Sequence, residues 1–168
     1  MAVTSSGTAV VTLPTDTQIL ITREFDAPKH LVYKAYTTPE LVRRWWNAKR
    51  GEVTVAEIDL RVGGKWRYVM VTEDGFEVAF SGEYREIVEN ERLVSTELYE
   101  GAPVPEGEDV KPTLNTLTLS ETDGRTTLTI LVEAPDKIVR DAIVESGMED
   151  GLQDALDLLE EVAGSLAG

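Results

Sequence analysis

The sequence predicts an α+β fold in which an antiparallel sheet is covered by one long C-terminal helix, and three observations carry that prediction. Apolar and polar residues alternate through most of positions 17–133, the period of strands with one buried face. Asp-Gly and Gly-Gly pairs interrupt the alternation where hairpins would turn. After Pro135 the apolar spacing lengthens to that of a helix.

The elements follow in order. Positions 1–16 are small, rich in Ser and Thr and interrupted by Pro14, and read as a flexible tail ahead of one domain spanning 17–168. "TQILITREF" alternates, with Ile19, Ile21 and Phe25 on one side, and reads as a first strand. Asp26 is the expected N-cap of a short helix with Pro28 in its first turn and Leu31, Val32, Ala35 and Tyr36 on one stripe. Thr38-Pro39-Glu40 starts a second helix: a capping hydroxyl, a proline preset for helical φ and an acid at the positive end of the dipole. Its apolar face is Leu41, Val42, Trp45 and Trp46. Strands are predicted over 52–61, 65–73, 76–88 and 92–99, with turns at Gly63-Gly64, Asp74-Gly75 and Glu89-Asn90. "TLNTLTLSETDGRTTLTILVEA" is a further hairpin turning at Asp123-Gly124, with Leu117 and Leu119 facing Leu128, Ile130 and Val132. The sheet therefore has about seven strands. Pro135 and Asp136 open a helical segment, and from Met148 onward Leu152, Ala155, Leu156, Leu159, Val162 and Ala163 form one stripe. Gly147 and Gly151 lie one turn apart on that helix, which calls for either close approach to the sheet or space left beside it.

Composition bounds the function. A formal charge of −15, from 31 acidic and 16 basic residues in a chain of 168, would be repelled by a phosphate backbone or an anionic membrane, so nucleic acid is excluded as a partner. There is no cysteine, which removes disulfides, thiolate metal sites and cysteine nucleophiles and fits a reducing compartment. With neither a basic, apolar leader nor a bilayer-length apolar run, the reading is a cytoplasmic chain without membrane insertion.

The words "REFDAPKHLVYKAYTTPELVRRWW", "DLRVGGKWRYVM", "SGEYREIVENERLVSTE" and "GMEDGLQDALDLL" occur in the order of a known family and cover nearly the whole chain after Thr17. Together they resemble the heat-shock-protein-90 ATPase activator-like family, within the START and birch-pollen-allergen superfamily. The resemblance implies a helix-grip fold: a curved antiparallel sheet wrapped around the C-terminal helix, with a cavity between them that holds lipids, hormones or polyketides in related families. Three departures stand out. Leu152 occupies the place of an expected tryptophan, "WWNAKRG" replaces the usual glycine-proline, and the partner-grasping domain of the eukaryotic co-chaperone does not precede the matched region.

In such a fold Trp66, Tyr68, Met70, Phe80 and Tyr84 would point into the concave face, toward Met148 and Leu152 of the helix. Any one of them can be a core residue and nothing more. Polar-tipped aromatics gathered on one face also suit a cavity wall, because a buried hydroxyl or indole N–H needs a partner. Arg23 shares parity with Ile21 and Phe25, so it faces inward and needs a carboxylate, a carbonyl or a ligand anion. It joins the cavity candidates.

No catalytic constellation is visible. His30 is the sole histidine and reads as a solvated residue in a helix's first turn. Glu106, Glu108 and Asp109 match no calcium loop, so no metal site is assigned, and no motif calls for a cofactor. The expected partner is a small apolar or amphipathic molecule. The alternatives are a chaperone-cofactor role, a homodimer, or an enzyme of the polyketide cyclase or aromatase kind.

Overall fold

The computed structural model describes residues 9–100, 111–146 and 148–166. Along the chain run β1 (Val10–Thr12), β2 (Gln18–Phe25), α1 (Lys29–Thr37), α2 (Pro39–Trp45), β3 (Gly51–Ile58), β4 (Lys65–Thr72), β5 (Glu77–Val88), β6 (Arg92–Tyr99), β7 (Thr113–Thr122), β8 (Arg125–Glu133), α3 (Lys137–Glu145) and α4 (Met148–Ser165). The strands form one 8-stranded sheet in the order β1-β2-β8-β7-β6-β5-β4-β3, every pair antiparallel. This curved sheet with its C-terminal helix is the helix-grip architecture.

The eighth strand lies in the segment read as a tail. Val10–Thr12 pairs with Leu20–Thr22 of β2, and Ala9 is 4% exposed. Gln153 of α4 accounts for the difference, because its side-chain amide accepts from the Ala9 N–H at 3.0 Å and donates to the Ala9 carbonyl at 2.8 Å. A three-residue strand held by a partner 144 positions away leaves no periodic signal.

Local chemistry departs from expectation at further places: Thr38 holds the N-cap position of α2, but its hydroxyl makes no capping bond. Asp26 does not cap α1, because Pro28 occupies the capping position and Asp26 stands too far upstream. The first N–H of the helix is satisfied instead by Glu121 of β7, at 2.7 Å from the Lys29 nitrogen. Phe76, the first residue of the strand expected over 76–88, stands outside β5: it closes the β4–β5 turn against Thr72 and is 71% exposed. In that turn Gly75 alone has a positive φ, whereas Asp123 and Gly124 both do, so only the β7–β8 hairpin is the two-residue turn that Asp-Gly favours.

The core lies between the inner face of the sheet and the helices. Ile19, Ile21 and Phe25 of β2 meet Leu128, Ile130 and Val132 of β8 and Leu117 and Leu119 of β7, and Leu156, Leu159, Val162 and Ala163 of α4 close over them. Removing that much apolar surface from water is the main stabilising term in such a fold.

Candidate functional site

Alternation along β4–β6 selects what the inner face carries. Trp66, Tyr68 and Met70 share one side of β4; register places Gly82, Phe80 and Val78 of β5 opposite them, then Ser95 and Tyr99 of β6 beside Tyr84 and Phe80. Trp66, Tyr68, Met70 and Tyr84 are buried, while Phe80 is partly buried.

Four of the five predicted inward residues on the sheet form a connected group. The rings of Trp66 and Tyr68 lie 4.9 Å apart, and Trp46 sets its edge against Tyr68 at 5.5 Å and against Phe80 at 5.8 Å. The hydroxyls of Tyr68 and Tyr84 stand close enough to perturb each other's ionisation. Gly82 makes room for this arrangement: a Cβ there would stand 2.6 Å from Trp66 Nε1 and collide with the Thr96 carbonyl. The indole thus lies across a backbone that only glycine permits. Met70 sits further along β4, between Val53 and Val78.

Polar groups that the sequence reading missed join them. Glu97 of β6 shares parity with Ser95 and Tyr99 and lies near enough to Asn115 of β7 for that side chain to favour its charged form, while Tyr36 of α1 comes close enough for Glu97 to disfavour its ionisation. Parity in "LVSTELY" was the available signal, since Leu93, Ser95, Glu97 and Tyr99 alternate on one side. Burial pushes the Glu97 carboxyl above the usual range, and Asn115 offsets this only in part. Burial also raises Tyr36, with help from Glu97 and Tyr84. Tyr68 is raised by burial and then by Tyr84, Tyr36 and Glu97, and Tyr84 by burial and then by Tyr33. No cation figures among the groups acting on these four. The interior therefore favours neutral phenols and a carboxyl that resists ionising, a setting hostile to further negative charge.

Two orphaned donors mark the inner face. Trp66 Nε1 and Arg23 Nε are buried without a hydrogen-bond partner among the described residues. The rest of Arg23 is well matched: Nη1 lies 2.7 Å from Asp157 Oδ1, Nη2 2.9 Å from Glu160 Oε1, and the guanidinium stands 5.0 Å from the centre of the Phe25 ring. Arg23 is separated from Trp66 by four intervening strands and belongs to the β2–α4 contact.

Met148 and Leu152 pack against the core but are only partly buried, and a Cβ added at Gly151 would meet nothing within 4 Å. Of the two readings of that glycine, the structure supports space. Gly147 lies outside the described residues, as do Glu106, Glu108 and Asp109. His30 is exposed, and no group of three or more His, Asp or Glu side chains is arranged to hold a metal among the described residues.

A groove of about 730 Å³ opens along β3–β6, lined by Glu57, Lys65, Arg67, Ser81, Glu83 and Leu98 among others, and it reaches Trp66 and Gly82. Its charges are paired across strands, as in Lys65–Glu83 at 3.6 Å and Arg67–Glu100 at 2.9 Å.

The model of a family described as Activator of Hsp90 ATPase homolog 1-like protein matches residues 26–164. Among solved structures, a Rhodobacter sphaeroides protein is 25% identical, with 94% of this chain and 99% of that one covered and a TM-score of 0.83. An Arthrobacter aurescens protein is 26% identical over 93% and 91% of the two chains, with a TM-score of 0.80. A Nitrosomonas europaea protein is 25% identical over 92% and 99%, with a TM-score of 0.79. No curated protein matches the chain in sequence.

Proposed function

Since the chain belongs to the Activator of Hsp90 ATPase homolog 1-like family, we propose that it holds a small, largely apolar molecule between the inner face of β4–β6 and the first half of α4. The observation that carries this reading is incomplete closure over a built site. Trp66, Tyr68 and Tyr84 are buried, with the first two rings in contact and the two phenols near each other, while Met148, Leu152 and Ala155 are only partly buried and Gly151 has open space at its Cβ position. A core that merely needed filling would carry larger side chains there. Apolar walls with a few convergent polar groups are the usual make-up of a small-molecule site.

An apolar dye titrated into the purified chain should quench tryptophan fluorescence saturably, because Trp66 and Trp46 border the site. Leu152→Trp should abolish that binding while leaving the thermal midpoint close to the parent's. A variant that unfolds, together with a parent that binds no dye, would identify the interior as closed core.

A second reading, a protein partner, is supported by the family description and by the groove along β3–β6. Leu60 and Val62, 40% and 64% exposed, flank Arg61 just after Asp59 at the rim of the groove. Exposed apolar residues rimmed by charge suit a transient protein contact. Leu60→Asp with Val62→Asp would weaken capture of a chaperone on this reading and leave dye binding unchanged.

A further inference from the structure

We propose that the molecule held in this interior is neutral and presents a hydrogen-bond acceptor, such as a ketone, ester or amide carbonyl, to the indole N–H of Trp66. The inference rests on the binding reading above and narrows its ligand class.

Trp66 is 7% exposed, and its Nε1 has no partner among the described residues. Buried donors are nearly always satisfied, and one that is not marks a place where an acceptor belongs. Trp45 shows the contrast, because its indole N–H donates to the Ala35 carbonyl at 2.9 Å. The two donors differ in what lies opposite them: Trp45 faces a helix end, whereas Trp66 spans Gly82, where the strand offers no side chain. Beside it stand the hydroxyls of Tyr68 and Tyr84, close enough to perturb each other's ionisation. Two neighbouring hydroxyls carry two protons, and a bond between them would use only one. The polar end of the interior is therefore rich in donors.

Charge decides against an anion. Glu97 acts on Tyr68 and Tyr36, and burial raises its own carboxyl above the ordinary value. Arg23 is the inward cation that could have met a carboxylate, but Asp157 and Glu160 already take its two terminal nitrogens. A fatty acid or another carboxylate entering beside Tyr68 would find a second carboxyl, with the inward Arg23 already paired.

The test compares three probes of one shape: acetylnaphthalene with a carbonyl, ethylnaphthalene without a polar atom, and naphthoate with a charge. Each is titrated into nitrogen-labelled full-length chain by NMR, and the indole resonance of Trp66 is identified as the one missing from Trp66→Phe. Acetylnaphthalene should bind about tenfold tighter than ethylnaphthalene, the worth of one hydrogen bond to a buried donor, and should displace the Trp66 resonance more than those of the other two tryptophans. Naphthoate should bind weakest, and Glu97→Gln should recover part of its affinity. Equal affinity for the carbonyl and hydrocarbon probes would overturn the acceptor assignment while leaving the binding reading intact. Naphthoate binding as tightly as acetylnaphthalene would overturn the neutral class. If none of the three binds, the binding reading itself falls.

Discussion

Along α4, Leu156, Leu159, Val162 and Ala163, from the middle of the helix onward, are 3% exposed or less, while Met148, Leu152 and Ala155 ahead of them are only partly buried. The same division runs through the polar contacts. Asp157 and Glu160 hold the buried Arg23 of β2, and Glu160 also accepts from the Asp26 N–H at 2.7 Å. The first half is tied at its margins, by Gln153 to Ala9 and by Asp154 to Arg50 at 2.7 Å. One helix thus serves as a clamp over β2, β7 and β8 and as a looser cover elsewhere. The contrast shows that burial is concentrated where the fold needs it, which leaves the remaining apolar surface available for another use.

The largest break in that contrast should come from the clamp. Leu159→Ala should cost about 2–5 kcal/mol, as for fully buried leucines, and Leu152→Ala less than about 1.5 kcal/mol. Chemical denaturation of both variants checks the difference, and equal losses would erase the two-half description. Next comes Arg23→Leu, which leaves two carboxylates facing an apolar side chain and should cost about 3 kcal/mol. Because Arg23 is buried, that loss should change little between low and high salt, unlike the loss of an exposed pair.

On the looser side, Glu97→Gln should raise the thermal midpoint near neutral pH. The carboxyl binds its proton more readily folded than unfolded, so its contribution is fully present in acid and is lost as pH rises from the ordinary value of 4.5 through the raised one. The variant and parent should therefore converge below that ordinary value. A Glu97→Gln variant that is less stable at neutral pH would show that the charged form is stabilised inside. The smallest effect expected is from Gly151→Ala, a gain of about 0.5–1 kcal/mol from helix propensity, with no steric loss because nothing lies within 4 Å. A measured loss would place unseen packing at that point.

Most of the architecture was legible from period and turn chemistry. Residues 92–99 coincide with β6, and β2, β4 and β5 differ from the expected ranges by one residue at an end. The inward set on β4 and β5 followed from parity, because a strand has only two faces. What could not be read depended on partners distant in sequence. β1 exists through Gln153, and the first turn of α1 is satisfied by Glu121. Arg23 illustrates both cases: alternation placed it inside, but only the fold could show that Asp157 and Glu160 meet it there rather than a ligand. "NAKR" hid a further feature, since Ala48 and Lys49 both adopt left-handed φ, of 50° and 62°, which side chains other than Gly and Asn disfavour. Asn47 supports that bend, its carbonyl accepting from the Arg50 N–H at 2.9 Å and its side chain from the Lys49 N–H at 3.2 Å.

The pairing of β2 with β8 fixes when the sheet can close. A ribosome releases β3, β4, β5 and β6 in the order in which they pair, so this meander can zip as it emerges. β2 leaves the ribosome earlier, yet its partner on one edge is the last strand made, and the amide link from Ala9 waits for Gln153, 144 positions later. Until then an apolar strand has one edge without its native partner. Long-range closure of this kind slows folding and exposes the nascent chain to association with its neighbours. β2 is consequently the strand most dependent on protection during synthesis, although its inward residues Ile19, Ile21, Arg23 and Phe25 are among the most deeply buried once the fold is complete.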